Sequence, residues 1–293
     1  MSPESQSSIF AMTPFTKLLQ RVLAFLAALV VVRFVLEVTG TPESVTRLLS
    51  STAGVFLAAI YVAAIAPLRG GMQKFRQLLL PALLLSVWTV GWVIVATIVA
   101  AVFRLERSHF AAKEDFGNWG QLGRHLVDHV LEIGVFFVIV LVIMAIVHTL
   151  WRWPVTVGPG ALLGVVVIMR YWVEAMGAPP TNAAAWSSTI GVFVSAVYLG
   201  AQGAPLGLRT ARQLLAPSFA IAFAWRLWIL LATLLSALVP FYKTHFFKPE
   251  DGEIASRLAR FIAGGVIVEG LIVSLIVWGI AVWISRATRT APV

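Results

Sequence analysis

The chain has 293 residues, of which 59% are hydrophobic and 12% charged, with a formal net charge of +9 and no cysteine. Soluble domains run at about 45–50% apolar and about 25% charged, so a water-soluble fold is excluded and lipid is the solvent. The absent thiols exclude disulfides, thiolate metal sites and cysteine catalysis, and basic residues spread thinly between apolar runs exclude a nucleic-acid surface and suit contact with anionic lipid.

Residues 1–17 form a polar N-terminal segment without the basic start, apolar core and small-residue cleavage site of a signal peptide. The first span is therefore read as a retained anchor. Eight apolar stretches follow, at 18–38, 45–66, 76–103, 125–150, 157–176, 184–204, 213–239 and 260–285. Most are long enough to cross a hydrocarbon core of about 30 Å as helices. Gly and Pro mark the gaps, as at Gly40 to Pro42, Pro67 to Gly71, Pro154 to Gly160 and Gly177 to Pro180. The fold class is an all-α polytopic membrane protein with eight transmembrane helices.

Basic residues place both termini in the cytoplasm and the chain in a plasma (inner) membrane. One set of ends carries Lys17, Arg21, Arg69, Lys74, Arg76, Arg152, Arg209, Arg212, Arg286 and Arg289 with Glu4 as its only acid. The other set matches its basic residues with Glu43, Glu106, Glu114, Asp115, Asp128, Glu250, Asp251 and Glu253. Short basic loops stay inside. Trp151, Trp153 and Trp283 then fall at the inner interface, and Trp119 and Trp186 at the outer one.

Shifted by about 137 residues, the chain matches itself at its rarer residues. Arg33, Glu37, Gly40 and Pro42 pair with Arg170, Glu174, Gly177 and Pro179, and Tyr61 with Tyr198. One residue out of step, Arg76, Pro81, Trp92, His109, the pair Glu114-Asp115 and Arg124 match Arg212, Pro217, Trp228, His245, Glu250-Asp251 and Arg260, before Glu132 meets Glu269. The reading is two tandem four-helix repeats, 18–153 and 154–293. Four is even, so both enter the membrane in the same sense, as parallel repeats.

Polar groups at depth are the candidate substrate- or ion-binding residues. Arg33/Glu37 and Arg170/Glu174 stand four apart on one helical face. Glu132 and Glu269 lie about 10–13 Å into their spans at 1.5 Å per residue. Arg226 breaks the symmetry, since its counterpart is Val90. Three arginines face four glutamates, so one carboxyl, Glu132 or Glu269, is left to carry a proton or bind a cation, because unpaired charge at depth costs at least about 2.5–3.5 kcal/mol.

Imidazoles near acids raise metal binding as a second possibility. His109 and His245 lie in hairpins with paired acids, and His125, Asp128, His129 and Glu132 follow at i, i+3, i+4 and i+7 on one helical face. This last cluster reads as a metal patch, a proton path to Glu132, or a polar helix start with its acid favoured by the dipole. No phosphate loop, HExxH helix or GxSxG elbow is present, and no cofactor follows from the sequence. The first functional reading is a permease for a small molecule or ion, its site between the repeats in the outer half of the bilayer. The alternatives are a non-catalytic scaffold subunit with a membrane-protein partner or as a homo-oligomer, and a membrane-embedded metal-dependent enzyme.

Overall fold

A computed structural model of the chain describes residues 13–183, 186–238, 244–247 and 253–290. Glu4, most of the polar N-terminal segment and the acidic pair Glu250-Asp251 lie outside the described residues. The protein is 82% helix with no strand among those residues. Contacts divide the chain into two compact units, Met1–Ala145 and Ile146–Val293.

In the first unit, α1 (Pro14–Val38) starts behind Thr13, whose Oγ1 accepts from Thr16 N at 3.2 Å, with Pro14 at the first helical position. It ends in a Schellman turn. Gly40 N donates to Glu37 O and Thr41 N to Leu36 O, while Gly40 sits at φ +87°. Glycine is the residue that takes this left-handed geometry without a Cβ penalty. A single turn, Glu43–Thr46, leads to α2 (Ser51–Ile65), capped by Ser50 Oγ accepting from Ala53 N. α3 (Leu79–Val102) and α4 (Trp119–Leu150), the latter up to Ala145, complete the unit. α1 packs on α2 and α3, and Trp88 of α3 donates its indole N–H to Leu23 O of α1 at 2.8 Å.

In the second unit, α5 (Val157–Ala175), α6 (Ser188–Gly203), α7 (Ala211–Leu238) and α8 (Ile254–Thr290) pack as a bundle. The helix α8 runs Ile254–Arg260 in α geometry, Phe261–Glu269 in π geometry and Gly270–Thr290 in α geometry again. α5 ends as α1 does, with Gly177 at φ +91°, Gly177 N on Glu174 O and Ala178 N on Val173 O. Small residues set the close approach of α5 and α7. Trp228 is fully buried and donates to Gly160 O at 2.9 Å, and a Cβ on Gly164 would lie 2.5 Å from its ring.

Six helices among the described residues are long and apolar enough to cross a membrane: Glu43–Arg69, Phe75–Val102, Trp119–Leu150, Pro154–Ala175, Ala211–Leu238 and Ile254–Thr288. This is a multi-pass helical membrane protein. Of the eight expected spans, α6 has 16 residues, about 24 Å at 1.5 Å per residue, and is short for a hydrocarbon core. α1 has 25 residues but carries Lys17, Gln20, Arg21, Arg33 and Glu37. α4 begins at Trp119, six residues before the expected apolar start, because Asn118 Oδ1 caps it by accepting from Gln121 N at 3.1 Å.

Candidate functional site

The first group of polar residues is built around the last turn of α1. Arg33 and Glu37, one helical turn apart, meet with Nε donating to Oε1 at 3.0 Å. The other carboxylate oxygen, Oε2, accepts from the backbone N–H of His109 at 3.1 Å and from its Nδ1 at 2.6 Å. A carboxylate has only acceptors, so the imidazole carries its proton on Nδ1. Glu37 is 5% exposed. Phe110 follows His109 into the apolar core of Val30, Ala96, Ala100 and Leu122, with Arg33 Cζ 5.8 Å from its ring. His109 and Glu37 line a cleft of about 270 Å³ together with Thr41, Glu43, Glu106 and Arg107.

The second unit contains the same arrangement. Arg170 Nε donates to Glu174 Oε1 at 3.1 Å, while Glu174 Oε2 accepts from His245 N at 2.8 Å and from His245 Nδ1 at 2.6 Å. Glu174 is 1% exposed. Phe246 again follows, 4.0 Å from the His245 ring, and is buried. The sequence placed His109 and His245 among possible metal ligands and Glu37 and Glu174 among ion-binding groups. The structure joins each histidine to one glutamate. Both oxygens of each carboxylate are engaged inside the unit, which makes each node a charge-assisted clamp between a helix end and a distant hairpin.

The third group lies on α4. Asp115, 2% exposed, accepts from Ala112 N and from His125 Nδ1, both at 2.8 Å through Oδ2. The His125 and His129 rings are 4.8 Å apart, and His129 Nδ1 donates to Glu132 Oε2 at 2.9 Å. The hydroxyl of Thr97 on α3 donates to Val93 O and lies 3.5 Å from His129 Nε2. Of the four residues grouped by spacing, His125, His129 and Glu132 therefore form one series. Asp128 is exposed and takes no part in it. The acid that His125 bonds is Asp115, ten positions earlier, turned back by Gly117 at φ +75°. Sequence spacing along a helix carries no signal for such a hairpin residue.

On α7, Arg226 is paired with Glu269 at the end of the π segment, and its guanidinium lies 4.1 Å over the Trp225 ring. Each of the three arginines singled out at depth thus has a glutamate, and the carboxylate left to a histidine is Glu132. Among the described residues no group of three or more His, Asp or Glu is arranged to hold a metal ion. Comparison with protein families, with curated proteins and with solved structures finds no match to this chain.

Proposed function

We propose that this chain is a proton- or cation-linked permease of the plasma (inner) membrane, in which Glu132 with His129 and His125 handles the proton. The observation that carries the reading is the polar series from Asp115 through His125 and His129 to Glu132, with its bonds of 2.8 and 2.9 Å at either end and rings 4.8 Å apart between them. Glu132 lies 13 residues beyond the start of α4 at Trp119, about 20 Å along the helix. The series thus leads from a hairpin into an apolar span.

The Arg33–Glu37–His109 and Arg170–Glu174–His245 nodes then serve as positioning clamps, rather than the ion-binding groups their depth suggested. In the first unit the clamped hairpin also carries Asp115, so the node at Glu37 sets where His125 finds its partner. Arg226 is neutralised by Glu269 and is left out of proton handling.

The architecture we infer is eight spans in two tandem four-helix copies, 18–153 and 154–293, with both termini cytoplasmic. The length of α1 supports it as a further span. The matching clamps and helix ends support the duplication, as does the second of its two changes of register. Eight residues lead from Arg124 to Glu132 and nine from Arg260 to Glu269, and those nine are the π segment Phe261–Glu269. A π-helix, closing i to i+5, takes up one extra residue within a helix.

Proton-linked flux in proteoliposomes tests the function. Glu132→Gln should abolish flux while the protein still inserts, and normal flux in that variant would sink the reading. The exposed apolar face of α4 favours a second reading, a scaffold with a membrane-protein partner. Leu131 and Val135 are 68% and 57% exposed there beside Glu132, whose side chain is half exposed. A stoichiometric partner in mild-detergent purification, together with unchanged flux in Glu132→Gln, would select that reading. The third reading, a metal-dependent enzyme using the α4 cluster, requires a bound metal on elemental analysis of the purified chain.

A further inference from the structure

At the opposite end of α1 from Glu37, a groove of about 380 Å³ opens between α1 and α2. Its size falls within the roughly 300–1,000 Å³ of small-molecule clefts. On α1 it is lined by Leu18, Arg21 and Phe25, spaced along one helical face, and on α2 by Leu57 and Tyr61. Arg69, the last residue of the 3₁₀ turn Ala66–Arg69 that follows α2, closes its polar end. The residues run from charged to apolar with depth. Arg21 and Arg69 lie toward the chain ends of their helices, while Phe25 lies one turn beyond Arg21 and Leu57 twelve residues before Arg69.

Neither arginine is committed elsewhere among the described residues. Among the described residues no carboxylate lies within ion-pair distance of Arg21 or Arg69, whereas Arg33, Arg47, Arg170 and Arg226 each have a glutamate. Both are exposed, as are Phe25 and Tyr61, at 59% and 49%. Two guanidiniums above an apolar trough make one chemical pattern: a phosphate with hydrocarbon attached to it. Arginine binds phosphate oxygens in a planar, bidentate fashion, and an interfacial tyrosine keeps its ring in hydrocarbon with its hydroxyl at headgroup level.

We propose that this groove binds an anionic phospholipid, with Arg21 and Arg69 holding its phosphate and Phe25, Leu57 and the Tyr61 ring receiving the upper part of an acyl chain. The site belongs to the first unit alone. By the 137-residue register Tyr61 has Tyr198 as its counterpart, but Gly158 and Leu206 stand where Arg21 and Arg69 would be. This assignment is independent of the transport reading.

Native mass spectrometry of the full detergent-solubilised chain, titrated with phosphatidylglycerol and separately with phosphatidylcholine, tests it. The wild-type chain should retain phosphatidylglycerol preferentially. Each of Arg21→Gln and Arg69→Gln should weaken retention by about fivefold, the size expected for one basic side chain at an anionic surface, and the double variant should abolish the preference. Arg152→Gln, which removes the same charge at a residue that does not line the groove, should leave retention unchanged. Leu57→Trp fills the trough with both arginines intact and should also abolish the preference, so the test does not rest on the arginine variants folding. Equal retention in the double variant, or an equal loss in Arg152→Gln, would overturn the site. Displacement of the lipid by millimolar inorganic phosphate would do so too, since it would reduce the site to one for phosphate alone.

Discussion

Glu37 takes the backbone N–H and the imidazole of His109, 72 residues further along the chain, on a single carboxylate oxygen. Its other oxygen takes Arg33 from the same helix. The carboxylate therefore ties the end of α1 to the hairpin that follows α3, and Glu174 does the same for His245 in the second unit.

Removing that tie should be costly. In Glu37→Ala, Arg33 loses its counter-charge in a largely buried setting and His109 loses its acceptor. Breaking a buried pair of this kind costs on the order of 3 kcal/mol, and denaturant unfolding in detergent should show that loss. His109→Ala alone should cost less, because its ring is partly exposed. The double variant should fall well short of the sum, since the two residues act through one contact. Full additivity would mean that the clamp is not a unit.

The helix ends offer a separate measurement. Gly177 has open space where a Cβ would sit, so Gly177→Ala reports the left-handed backbone alone. A loss of about 1–2 kcal/mol is expected from that conformation. Gly40→Ala should cost at least as much, because its Cβ would also displace the Arg107 guanidinium, 2.5 Å away. Thermal unfolding of the two variants side by side checks both expectations.

Gly164→Ala should destabilise the second unit by about 1–3 kcal/mol through overpacking. The obstacle is the Trp228 ring, buried and held by Gly160 O, with its Cε2 2.5 Å from the new Cβ. Trp228→Phe opens that space, so Gly164→Ala should cost distinctly less in the Trp228→Phe background. An unchanged cost would place the obstruction elsewhere.

Arg226 and Glu269 should behave asymmetrically. Glu269→Ala leaves a guanidinium at depth over the Trp225 face with no carboxylate partner among the described residues, and should lower stability measurably. Arg226→Val with Glu269→Val replaces the whole pair by apolar residues and should be close to neutral. Buried ion pairs exchanged for apolar residues are often neutral or stabilising. Unfolding midpoints of the single and double variants distinguish the cases.

The α4 series predicts graded effects on flux. His125→Phe interrupts the path while leaving the His129–Glu132 pair in place, and should slow proton-linked flux by about a hundredfold, within the range for a positioned proton-transfer group. Asp128→Asn should leave flux unchanged, because Asp128 is exposed and outside the series. Equal loss in both variants would point to general damage to α4 rather than to a path.

The sequence by itself determined the membrane class, the approximate helices, the i,i+4 pairs Arg33/Glu37 and Arg170/Glu174, and the glycine ends of α1 and α5. These depend on hydrophobic content, helical period and backbone sterics, all of which are local. It also marked Glu37 and Glu132 as polar groups at depth needing partners, and His109 and His125 as possible metal ligands. Only the tertiary structure decided the pairing: His109 with Glu37 across 72 residues, Asp115 rather than Asp128 with His125, and Arg226 with Glu269. It likewise decided that nine residues from Phe261 to Glu269 wind as a π-helix. Such choices depend on which hairpin folds over which helix end, and one-dimensional spacing carries no information about that. Burial makes each choice consequential, because in hydrocarbon an unpaired charge finds no water to replace its partner.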